Sequence, residues 1–91
     1  MAILFRTDLT MKEITPKNGS DFSLKELYEI LDCDSVEVVP LTEINSFVVD
    51  EEGKLKDKEC NMYASKIYQK FLNTTDVLVG DCLMINNEEI K

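Results

Sequence analysis

Carboxylates outnumber every other reactive group in this sequence: 18 Asp and Glu stand against 10 Lys and Arg, with three cysteines and no histidine. The missing histidine removes the usual general base near neutral pH. A serine, threonine or cysteine nucleophile would then need lysine or a carboxylate as its base. Cys33 lies between Asp32 and Asp34, and neighbouring negative charge raises a thiol pKa and opposes reactivity. Gly19, Gly53 and Gly80 form no G-x-G phosphate loop. Asp32-Cys-Asp34 and Asp50-Glu-Glu52 lack the ligand spacing and central glycine of a calcium loop. Three cysteines without a Cys-x-x-Cys pair make neither a disulfide framework nor a closed zinc site. The expectation is therefore a binding protein and not an enzyme, with no catalytic residues, metal or cofactor.

The carboxylates are unevenly placed. From Glu26 through Gly53 there are nine acids and no Lys or Arg, while the rest of the chain holds nine acids and ten bases. The whole excess, a net charge of −8 over 91 residues, thus sits in one consecutive stretch, and consecutive elements are usually neighbours in space. Such a charge opposes contact with nucleic acid phosphates and anionic membranes. Two readings follow. The stretch is a solubilising face, or it is a surface that meets a basic groove with carboxylates in place of phosphates, where complementarity speeds association and sets specificity. The second reading assigns partner contacts to Glu29, Asp32, Asp34, Glu37, Asp50, Glu51 and Glu52, and leaves Glu26 to a helix cap. Its partner would be a basic host protein such as a nuclease or repressor. An alternative class is an oligomeric sink for a small phosphorylated or nucleotide ligand held near Lys54, Lys56 and Asn61. A third is a structural subunit of a larger assembly.

These side chains need elements to position them. Ala2 to Phe5 and Met11 to Thr15 read as two strands around a turn, followed by the loop Pro16 to Asp21. Ser23-Leu-Lys-Glu26 has capping-box spacing, and Leu24, Leu27, Tyr28 and Leu31 follow on one helical face. Val36 to Leu41 and Phe47 to Asp50 are β-branched runs of strand length. Asp50 to Gly53 reads as a turn with Gly53 available for positive φ. If Leu55 to Glu59 is extended, Lys54, Lys56 and Lys58 share a side. Ala64, Ile67, Tyr68 and Phe71 repeat the helical spacing, and Asp76 to Ile85 reads as a last strand broken at Gly80-Asp81. The expected fold is a single α+β domain spanning 1–91, in the order β-β-α-β-β-α-β. A small antiparallel or mixed sheet would carry both helices on one face. With no signal-like leader and no apolar run near the roughly 20 residues of a membrane span, a cytoplasmic location is expected.

Leu24-Lys-Glu-Leu-Tyr-Glu-Ile-Leu31, Val36-Glu-Val-Val-Pro-Leu41, Val48-Val-Asp-Glu-Glu-Gly-Lys-Leu55, Asn61-x-x-Ala64 and Asp76-Val-Leu-Val-Gly-Asp81 together resemble a family of uncharacterised small domains of phages, plasmids and integrated elements. Where such domains often leave the first helix through glycines, this chain has Asp32-Cys-Asp-Ser35. The resemblance implies a mobile-element origin and an accessory role against host defence. It supplies no catalytic residues.

Overall fold

The computed structural model describes residues 2–90. Strands β1 (Ala2–Phe5) and β2 (Met11–Ile14) form a hairpin, helix α1 (Leu24–Leu31) follows, and β3 (Val36–Pro40) and β4 (Asn45–Asp50) form a second hairpin. Helix α2 (Met62–Leu72), strand β5 (Cys82–Asn86) and a 3-10 turn at Asn87–Glu89 complete the order. The strands make one five-stranded sheet in the order β2-β1-β5-β4-β3, with every ladder antiparallel.

The helices do not share a face of this sheet. Ala2, Leu4, Val48, Leu83 and Ile85 bury one face together with Phe22, Leu27 and Leu31 at α1. Phe5, Phe47, Val49 and Cys82 bury the other with Ala64 of α2, Leu41 and Leu78. Because side chains alternate across a strand, a three-residue apolar run such as Phe47-Val48-Val49 serves both layers at once. Continuous rather than alternating apolar strands are the mark of a sheet covered on both sides. Each large side chain buried here contributes roughly 1.5–3 kcal/mol. Both layers include such residues, with Phe22 and Phe47 fully buried.

Local chemistry fixes the helix ends. The Ser23 hydroxyl accepts the Glu26 N–H at 3.2 Å while Glu26 accepts the Ser23 N–H at 3.2 Å, a reciprocal cap. Glu26 also accepts the Lys17 N–H at 3.0 Å, which ties the preceding loop to α1. α1 ends at Asp32, in the left-handed region at φ 51°. Asn61 caps α2, accepting the Ala64 N–H at 2.9 Å and donating to the carbonyls of Phe5 and Gly80 at 2.8 and 2.9 Å.

Three local expectations need correction. The last strand is only Cys82–Asn86; residues 76–79 run outside it, joined to Cys60 by a single bridge at Val79. Residues 51–57 form turns rather than an extended segment, so the three lysines do not line one side: Lys56 and Lys58 converge on Asp50, and Lys54 turns to Asp76. Gly53 is not at positive φ. A Cβ there would come within 2.9 Å of Val79 Cγ2, so glycine is required for close approach between the loop and residues 76–79. Among the described residues, no helix is long and apolar enough to cross a membrane.

Candidate functional site

Asp50 ends β4 on the α1 side of the sheet, in step with Val48. Its side chain is 2% exposed. One oxygen accepts the Glu52 N–H at 2.9 Å, and the other receives Lys58 at 2.8 Å and Lys56 at 3.1 Å. Burial alone would raise this carboxyl, but Lys58, the Glu52 N–H and Lys56 together hold it below the usual range. The same contact raises Lys56, with Asp50 the main cause and Glu52 and Asp34 adding to it. Lys58 also donates to the carbonyls of Leu31 and Asp32 at 3.2 and 3.1 Å, which places a cation on the negative end of α1. Gly80 at φ 73° makes room for it: a Cβ would lie 2.9 Å from Lys58 Cδ. The hub is a closed structural element, so Asp50 is removed from the predicted acidic face.

The other predicted acids divide. Glu29 sits on α1 and reaches Lys17 at 3.8 Å. Asp32 and Asp34 are exposed in the turn after α1. Glu51 and Glu52 are exposed beside that turn, where the Glu51 N–H donates to the Ser35 carbonyl at 3.2 Å. Glu37, paired with Val49 across the β3–β4 ladder, points to the α2 side. The seven acids therefore make no single face. Asp34, Glu51 and Glu52 gather at one end of the hairpin, with Glu37 around the edge of the sheet. Among the described residues, the carboxylates of Asp32, Asp34, Glu37, Glu51 and Glu52 have no hydrogen bond or ion pair.

Glu37 and Glu51 stand instead at a cleft of about 200 Å³ between the hairpin, the 51–55 loop, Tyr68 of α2 and residues 76–79. Val39, Val49 and Leu78 give it an apolar lining. Lys54 and Asp76 pair at 3.1 Å on its wall with their side chains 60% and 56% exposed, and the ammonium holds the Asp76 carboxyl below its usual range. Sequence reasoning missed Tyr68 and Asp76 as site residues. No local signal marks them, because the wall forms only when residues 76–79 return beside Cys60 and Asn61, where the Asn61 N–H meets the Leu78 carbonyl at 2.8 Å.

The residues expected for an anion site do not converge. Lys54 is engaged by Asp76 and Lys56 by Asp50, while Asn61 is fully buried and spends its amide on α2 and the two carbonyls. The cysteines are free. Burial first and Asp50 second push the Cys33 thiol up, rather than the flanking Asp32 and Asp34; burial takes Cys82 to about 12. Among the described residues, no group of three or more His, Cys, Asp or Glu is arranged to hold a metal ion.

Comparison with curated proteins and with solved structures finds no match. A family model described as a domain of unknown function, DUF3846, matches residues 2–90. With nearly its whole length covered by that match, the chain belongs to the DUF3846 family.

Proposed function

We propose that this chain is a non-catalytic binding protein that docks on a basic, nucleic-acid-binding host protein and inhibits it. The observation that supports this reading is the contrast between Asp50, neutralised by two lysines, and the exposed Asp34, Glu37, Glu51 and Glu52, which form no direct ion pair among the described residues, although Lys56 lies near enough to feel Asp34 and Glu52. Carboxylates left unpaired on one rim can stand in for phosphates, steering a basic groove onto the rim and opposing its nucleic acid. The resemblance to mobile-element domains fits a role in the host cytoplasm against a defence protein.

The test is a pull-down of tagged wild-type protein and a D34N/E51Q/E52Q variant, with captured proteins identified by mass spectrometry. The expected capture is a nucleic-acid-binding protein that is lost from the variant and released at about 0.5 M salt, where screening lengths fall well below 10 Å. Equal capture by both proteins, or none by the wild type, would reduce the rim to a solubilising surface.

A further inference from the structure

Resting on that reading, we infer that the cleft beside the rim is an anchor for a single arginine side chain presented by the basic partner. Its volume of about 200 Å³ lies below the roughly 300–1,000 Å³ of small-molecule sites, so a side chain fits where a nucleotide does not. Its walls are amphipathic in the sense an arginine needs. Val39, Val49 and Leu78 offer an apolar track for the methylene stem. Glu37, Glu51 and Asp76 supply carboxylates, and Tyr68 supplies an aromatic ring. A guanidinium is planar, weakly hydrated, able to take two carboxylate contacts at once and able to stack on a ring, whereas an ammonium is compact and strongly hydrated. The cleft therefore favours arginine over lysine.

Lys54 is the resident cation. It occupies Asp76 at 3.1 Å but remains largely exposed, and an ion pair of that exposure holds weakly. An incoming guanidinium takes Asp76, and Lys54 swings into water. This gives a variant that gains binding. Lys54→Gln frees Asp76 and removes a like charge without touching the core, so it tightens the guest, whereas Glu51→Gln and Tyr68→Leu loosen it.

The experiment is an amide-resolved NMR titration of the ¹⁵N-labelled full chain at low salt with the tripeptide acetyl-Gly-Arg-Gly-amide. The same peptides with lysine or citrulline replacing arginine serve as controls. Shifts confined to Glu37, Glu51, Lys54, Tyr68 and residues 76–79 are expected, strongest for arginine, weaker for lysine and absent for the neutral citrulline. Lys54→Gln should increase the affinity severalfold, a gain that loss of structure cannot imitate. The anchor is overturned if citrulline shifts the same amides, if no peptide shifts them, or if Lys54→Gln leaves affinity unchanged. Equal shifts over Asp32, Asp34 and Glu52 would overturn the anchor and leave the rim reading standing. Capture of the partner by E51Q/Y68L but not by D34N/E51Q/E52Q would separate the two in the same way.

Discussion

Asp50 and Glu51 are consecutive carboxylates with opposite surroundings. Asp50 is folded under Lys56 and Lys58 at the end of β4, and Glu51 stands in solvent at the mouth of the cleft. One loop makes both environments: it returns Lys56 and Lys58 to Asp50 and leaves Glu51 and Glu52 outside. The contrast separates charge that holds the fold from charge that is free for a partner. Removing one partner of a buried pair leaves an uncompensated charge, whereas an unpaired surface charge contributes little to stability.

The sharpest way to break this contrast is Asp50→Ala. It strands Lys56 and Lys58, the second of which also holds the end of α1, and should cost about 3 kcal/mol, the low end for a buried pair because both ammonium groups can turn to water. In a domain of this size that lowers the melting temperature by at least about 12 °C, readable by thermal denaturation. A smaller effect follows from pH. The folded Asp50 carboxyl lies below its ordinary value, so its contribution is complete above about pH 3.9 and is lost as pH falls through the lowered folded pKa. Lys56 is raised, so its contribution is complete below about pH 10.4 and is lost as pH rises through the raised one. Asp50→Asn should flatten both limbs of the melting-temperature profile relative to wild type. An unchanged acid limb would mean that other carboxylates carry it.

Asp32→Gly should stabilise by about 0.5–1 kcal/mol, because glycine adopts the left-handed turn more readily and the exchange removes a negative charge from the C-terminus of α1. Chemical denaturation would show the gain. The smallest effect is expected for D34N/E51Q/E52Q, within about 0.5 kcal/mol of wild type. A loss of more than 2 kcal/mol would show that the rim also holds the fold.

What could be read in the sequence was what is local. The Ser23–Glu26 cap declares α1 because both partners lie within one turn. The apolar runs at β1 and β4 declare strands, and their lack of alternation already carries the two-sided burial that a one-sided sheet would not need. The Asp50 hub was not legible, since Asp-Glu-Glu-Gly reads as a solvated turn. Its only trace is that Asp50 shares the parity of buried Val48 and is followed by two lysines at Lys56 and Lys58. The cleft was still further from view. Glu37 and Asp76 are 39 positions apart in the chain and meet through the packing of residues 76–79 against the loop at Gly53.

The strand order bears on how the chain folds. β5 lies between β1 and β4, so the centre of the sheet is the last strand in the sequence. Until residues 82–86 are available, the two hairpins have no strand in common, and each presents an open inner edge. The rate-limiting step should then be closure of the long β1–β5 loop, which is slow compared with hairpin formation. During synthesis those two unpaired edges should be the association-prone parts of the chain. The single insertion of β5 joins both layers of core at once, so one cooperative transition is expected in place of two.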